Sequence, residues 1–301
     1  MKSNGLIIGH IRDSTIAHVR TVAWRLGADV PFVDVGEYVT TGSITDATSS
    51  NAVLTVSGHD YPLGGVSCIY QRASIEPDAP PWSQSRLLAL ETALLSSGSE
   101  VINRPLTGWQ NMSKPLQMLM LESCGFVVPS SRATSVPEDY QDFRTYMGDI
   151  IYKSNSGQRS IVDRVSTGHD QRAELLSHCP ALFQQRIVGN DIRVHVVHEE
   201  IFAVKIQSDA VDYRYYKSRG SFAKLQAEPL LPSAIGKKCI EFAAASGVAL
   251  AGFDFKVDDE GCWYCLEMNP APAFESYDHV MNGAIARRIV AKLAGYEHVA
   301  G

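Results

Sequence analysis

The chain has 301 residues, 45% of them hydrophobic and 20% charged, with a formal net charge of −6. That length supports a large core shared among two or three subdomains. The acidic balance, without any Lys/Arg-rich run, argues against nucleic acid as a partner, and no apolar stretch reaches the length of a membrane span.

The start, MKSNGLIIGH, lacks the long apolar core and small-residue cleavage site of a secretory signal. Six cysteines are scattered singly except Cys262 and Cys265, which fits a reducing compartment, so a cytoplasmic protein is expected. GLIIG (5–9) reads as a buried strand. Asp13 or Ser14 caps the helix that follows, with Ile16, Val19, Ala23 and Leu26 at helical spacing and Gly27 as its end. PFVDV (31–35), AVLTV (52–56) and VSCIYQR (66–72) are the next strands; a helix over 83–96 ends before Gly98, and VIN (101–103) follows. These hundred residues make a small α/β layer domain, with RPLTGWQNM (104–112) as connector. Ser113 opens a helix that Gly125 closes. IIYK (150–153) and ALFQQRI (181–187) are strands on either side of a glycine- and serine-containing loop. DIRVHVV (191–197) and IFAVKIQ (201–207) flank a turn at 198–200 and pair as a hairpin. A helix at about 232–246, a second hairpin AGFDFKV/CWYCLEMN and a last helix at about 278–294 follow.

The second hairpin carries chemistry. With Asp258–Gly261 as its loop, Val257 lies opposite Cys262 and Asp254 opposite Cys265. Strand alternation then puts Asp254, Cys265, Glu267 and Asn269 on one face, with Glu267 diagonal to Asp254. Two carboxylates and an amide oxygen form a hard donor set suited to Mg2+, which completes its shell with water and phosphate oxygens. A solvated sheet face is the competing interpretation, because a one-residue shift reverses the faces. For the phosphate there is neither a P-loop nor a G-x-G-x-x-G motif. Lys153 ends the strand IIYK, ahead of S-N-S-G-Q-R-S; it suits a fixed charge beneath a phosphate-covering loop, or an ordinary surface lysine. The Cys262/Cys265 pair lies within a strand and reads as structural thiols. His195 and His198 read as solvated histidines, and His10 as a loop histidine.

In order along the chain, NMSKPLQ (111–117), YKSNSG (152–157), FQQRIVGNDIRV (183–194), FAVKIQS (202–208), DYR (212–214) and GFDF…CLEMNP (252–270) resemble the ATP-grasp superfamily. The closer likeness is to the ribosomal-protein glutamate ligases and the microviridin-type peptide maturases. This resemblance covers about 102–274; earlier residues match only loosely, in YQR (70–72) and NRP (103–105). It implies an α/β (α+β) fold: an N-terminal domain (1–105), a central subdomain (106–187) and a C-terminal subdomain (188–301) with an antiparallel sheet. Carried over by position, Lys114 and Lys153 would contact the nucleotide phosphates, and Gln185, Arg186 and Ile187 would form the adenine-reading hinge. Asp191 would hold the ribose, Arg193 and Arg214 would neutralise phosphate and the reacting carboxylate, and Asp254, Glu267 and Asn269 would carry Mg2+. Gln185 stands where a glutamate is usual, and Tyr216 stands where the glutamate ligases have a small amide, which implies a different acceptor pocket.

The implied activity is ATP-dependent ligation of a carboxylate to an amine or hydroxyl through an acyl phosphate, on a ribosomally made peptide. ATP and Mg2+ would be required, with Mn2+ as a substitute, and a homodimer is compatible. The alternatives are a free-standing amino-acid or dipeptide ligase and a nucleotide-binding protein without catalysis.

Overall fold

The structure, a computed structural model, describes residues 4–156, 162–208, 223–228 and 231–296. Two compact units divide it. The first comprises 1–107, 246–250 and 271–301, and the second 108–245 and 251–270.

The first unit opens with β1 (Gly5–Gly9), α1 (Ser14–Arg25), β2 (Phe32–Asp34) and α2 (Val35–Thr41). Asp13 caps α1, accepting from the amides of Thr15 and Ile16 at 2.8 and 3.1 Å. The expected strand 31–35 ends one residue early because the Asp34 carboxylate accepts from Gly36 N at 2.9 Å and starts α2. Next come β3 (Ser43–Thr45), β4 (Val53–Val56), β5 (His59–Pro62), β6 (Cys68–Arg72), α3 (Ser83–Ser96) and β7 (Glu100–Ile102). The parallel sheet runs β2-β1-β6-β7, whereas β4 belongs to a separate antiparallel sheet, β3-β4-β5. Leu6, Ile8, Val33, Ile69 and Leu90 form the core beneath α2 and α3. The buried Asn103 side chain donates to Leu250 O and accepts from Ala249 N and Leu250 N, fixing the 246–250 segment.

The second unit begins with α4 (Lys114–Ser123), whose N-cap is Ser113. There follow β8 (Ser131–Thr134), α5 (Pro137–Met147), β9 (Ile150–Ser154), β10 (Asp163–Arg164), α6 (Thr167–Asp170) and β11 (Ala181–Gln185). The four strands form an antiparallel sheet in the order β10-β9-β11-β8. It is backed by Tyr140 and Phe143 of α5, which pack with Ile150, Val165 and Phe183. α5 is not among the elements expected from the sequence, although Pro137 at its start and Glu138 and Asp139 in its first turn are ordinary helix-opening signals.

Then come β12 (Asn190–Val197), β13 (Glu200–Ser208), β14 (Ala223–Ala227), α7 (Ser233–Ala245), β15 (Leu250–Val257) and β16 (Trp263–Asn269). This sheet runs β14-β13-β12-β15-β16. Val197 pairs with Glu200, so the expected 198–200 turn contracts to His198 and Glu199, with His198 at φ 55°. One face packs on Phe126 and on Phe242 of α7 through Phe253 and Phe255.

The chain returns to the first unit with α8 (Glu275–Val280) and α9 (Ala284–Ala294). The single helix expected over 278–294 is broken at Asn282 and Gly283, both at positive φ. Asp278 supports the restart: its fully buried carboxylate accepts from Ile285 N and Ala286 N, and from His18 Nε2 at 2.8 Å. α9 lies against α1, β1 and β6. It passes so close to β1 that a Cβ on Gly5 would stand 2.4 Å from the Leu293 carbonyl oxygen, so only glycine fits there.

Candidate active site

β15 and β16 place the acidic residues by a different count from the expected one. Val257 pairs with Trp263, so the loop is one residue longer than Asp258–Gly261 and Cys262 belongs to it. Cys262 N donates to Asp258 Oδ1 at 2.8 Å and Asp258 N to Cys262 O at 3.2 Å, closing that loop. Continued regularly, this register would set Leu266 opposite Asp254. The ladder instead slips between Asp254 and Phe255: Phe255 pairs with Cys265 and Asp254 with Glu267, leaving Leu266 as the bulged residue. Two one-residue departures cancel in parity. Asp254 and Glu267 are therefore direct cross-strand partners, and Asn269, opposite Gly252, shares their face. Cys265 is the exception, and the expectation that it shares the acidic face is corrected. The bulge turns it into the core, where it is fully buried and burial raises its thiol pKa well above the usual range.

β12 adds to the polar face. Arg193, 5% exposed, donates from NH1 to Asp254 Oδ2 at 2.7 Å. Two residues earlier on the same face, Asp191 accepts from Lys256 Nζ at 2.8 Å. Lys256 is not among the expected site residues, although it lies two residues from Asp254 and so shares its face. His195 is not solvated as expected: it is fully buried on the Arg193 side of β12, with Arg193 Nε donating to its Nε2 at 3.3 Å. Burial and the Arg193 charge both hold this imidazole well below the ordinary histidine range, so it is neutral. Lys205 pairs with Ile192 and falls on the opposite face from Arg193.

Lys153 lies on β9 and is 6% exposed, unlike a surface lysine. Its ammonium donates to Gln184 Oε1 at 3.2 Å, and the Gln184 amide donates in turn to Ser131 Oγ and Met118 Sδ. Lys114, the first residue of α4, donates from its backbone to Asn155 O and from Nζ to Ser156 O, placing it at the end of β9. α4 thus touches both groups of residues. Lys114 and Met118 meet the β9–β11 side, and Gln117 between them meets β16. Gln117 Nε2 donates to Met268 O at 2.7 Å, and Met268 N donates to Gln117 Oε1 at 2.9 Å. A side-chain amide thereby continues the ladder along the edge strand, between Glu267 and Asn269. Gln117→Leu should lower unfolding stability by roughly 2–4 kcal/mol, since it leaves a buried N–H and C=O unpaired. A urea midpoint equal to that of the unsubstituted protein would exclude this clamp.

Of the expected hinge, Gln185 ends β11 opposite Ile150, and its backbone N–H donates to Ser130 O. The Arg186 side chain is engaged elsewhere, with NH1 3.0 Å from Asp149 Oδ2. Burial opposes the Asp149 charge, but hydrogen bonds from Arg186 and Arg164 outweigh it and keep the carboxyl below its ordinary range. Ile187 is half-buried just beyond the strand. Arg214 and Tyr216 lie outside the described residues, as does the 157–161 part of the loop after Lys153. His10 lies in the loop after β1, as expected, and is buried there, with Nε2 donating to Ser74 O at 2.7 Å.

The donor set fits Mg2+ or Mn2+. Asp254, Glu267 and Asn269 offer hard oxygens, and the sulfur-bearing side chains of Cys265 and Met268 face the core. Among the described residues no three His, Cys, Asp or Glu side chains stand together as a metal cluster. A cation held by two carboxylates and an amide completes its shell from water and phosphate.

No protein-family model and no curated protein matches the sequence. Solved structures do. The ATP-grasp ligase PsnB, complexed with a phosphomimetic variant of its minimal precursor, Mg and ADP, is 22% identical with a TM-score of 0.80, over 97% of this chain and 99% of that one. A Chryseobacterium gregarium RiPP-associated ATP-grasp ligase in complex with ADP and a leader and core peptide is 21% identical, with TM-score 0.82 over 98% and 97%. The macrocyclase MdnC from Microcystis aeruginosa MRC, bound with precursor peptide MdnA, is 20% identical, with TM-score 0.80 over 97% and 99%. Over nearly its whole length, this chain has the fold of the ATP-grasp ligases.

Proposed function

We propose that the protein is an ATP- and Mg2+-dependent ligase that joins a carboxylate to an amine or hydroxyl on a ribosomally synthesised peptide. The observation that carries this reading is the cross-strand pair Asp254–Glu267, with Asn269 on its face and Arg193 bonded to Asp254. The buried Lys153 and the fold-mates' precursor peptides, ADP and Mg support it. We keep the division expected from the sequence, 106–187 ahead of 188 onward, as the two sides of the nucleotide site, and cytoplasm as the location.

Asp254, Glu267 and Asn269 would hold Mg2+, which when bound neutralises charge on the β- and γ-phosphates. Lys153, fixed by Gln184, supplies a point charge to phosphate, and Lys114 a second one. The γ-phosphoryl group passes from ATP to the substrate carboxylate, releasing ADP. The amine or hydroxyl then attacks the acyl carbon, phosphate leaves, and the nucleophile's proton is lost to solvent. Arg193 and Arg214 offset the negative charge that develops at the acyl phosphate, so positioning and charge do most of the work. Asp191 holds the ribose, and backbone groups at 185–187 read the adenine edge.

Incubation with ATP, Mg2+ and candidate precursor peptides should yield ADP and phosphate with a product lighter by one water. Hydroxylamine added with the carboxylate should trap a hydroxamate. AMP as the main nucleotide product would overturn the mechanism, since it requires attack at the α-phosphate.

A further inference from the structure

We infer that His195 is a positioning residue for Arg193: its imidazole accepts from the guanidinium Nε and so aims the NH1 edge at Asp254. The inference deepens the ligase reading and, for its kinetic arm, rests on it. Three side chains carry it. His195 and Arg193 stand two apart on β12 and share a face; Nε and Nε2 are 3.3 Å apart, and NH1 reaches Asp254 Oδ2 at 2.7 Å. His195 is fully buried and Arg193 is 5% exposed, so bulk water does not supply this acceptor.

An arginine has five N–H donors in a rigid plane, and fixing Nε at one end fixes the direction of the NH1/NH2 edge. A histidine that accepts at Nε2 carries its proton on Nδ1, and both burial and the neighbouring cation keep it neutral. Protonation at Nε2 would set two cations face to face and remove the acceptor. The imidazole therefore acts through its lone pair. A purely packing role beside its cross-strand partner Phe202 makes the opposite demand, on shape alone.

Two substitutions separate these demands. His195→Phe keeps a planar ring and loses the acceptor; His195→Gln loses the ring and keeps an acceptor at similar reach. Basal ADP release from Mg2+–ATP should fall about 10- to 100-fold in the Phe variant, with KM for Mg2+–ATP changed less than about threefold, because misdirection of a charged group lowers turnover. The Gln variant should stay within about fivefold of the unsubstituted protein. In the unsubstituted protein, 15N NMR should show the Nδ1–H tautomer for His195 and a slowly exchanging Arg193 Nε–H that the Phe variant loses. An Nε2–H tautomer, equal protection of Arg193 Nε–H in the Phe variant, or a Phe variant more active than the Gln variant would each overturn the inference. If the unsubstituted protein releases no ADP even with candidate precursor peptides present, the ligase reading is at fault, and the tautomer and exchange measurements still decide the role of His195.

Discussion

Asp254→Asn and Glu267→Gln should each lower ADP formation at saturating Mg2+ by about 10²- to 10³-fold, the scale seen when one preorganised electrostatic group is removed from a reacting site. Both substitutions keep shape and remove charge. Asp254 and Glu267 face each other across β15 and β16 on the polar side of the sheet, away from the core built by Phe253, Phe255 and Met268. The thermal midpoint should therefore change little in Glu267→Gln and fall in Asp254→Asn, which removes the carboxylate partner of the nearly buried Arg193. Asp254→Asn has a second effect, since Arg193 then faces a neutral amide in place of a carboxylate. The double variant should consequently lose less than the product of the two single losses, because both serve one cation and one arginine. ADP formation at the unsubstituted rate in both single variants would remove the metal assignment.

Lys153→Met should weaken binding of a non-hydrolysable Mg2+–ATP analogue by about 10- to 100-fold, the equivalent of one charge-assisted hydrogen bond of about 1.5–3 kcal/mol. Methionine has nearly the same length, so it fills the space between β9 and Gln184 without the charge. Gln184 keeps its bonds to Ser131 and Met118, which limits the cost to the fold. Isothermal titration of folded protein gives the comparison, and an unchanged Kd would place the phosphates elsewhere.

Much of this was legible in the sequence where local signals and tertiary demands agree. α1, α3, α4 and α7 appear close to their expected bounds because apolar periodicity and the caps at Asp13 and Ser113 act within the helix itself. The faces of Glu267 and Asn269 were right, but the pairing behind them was not. No local signal announced either the fifth loop residue or the bulge at Leu266, and strand parity hides any two errors that cancel. His195 was misjudged for a different reason: H-x-x-H spacing says nothing about burial, which here comes from the neighbouring strands. α2 is hidden because seven residues span too few turns to show a helical period, whereas α5 carries its opening signals at Pro137, Glu138 and Asp139 in plain view. Gln117 ends the NMSKPLQ stretch but gives no local sign of its clamp, since its partner Met268 is far along the chain and is met through backbone atoms.

The path of the chain through the first unit has a bearing on its biosynthesis. β1 and β6 are separated from α9, the helix that lies against both, by the entire second unit; about 210 residues divide the end of β6 from the start of α9. At translation rates of about 5–20 residues per second, that interval lasts roughly 10–40 s. For that time a largely apolar strand pair, including the bare backbone at Gly5, waits on the ribosome without its helix. Chaperone demand on this protein should thus fall on its earliest residues, and a chain cut short between Pro270 and α9 would hold the whole of its second unit but not of its first.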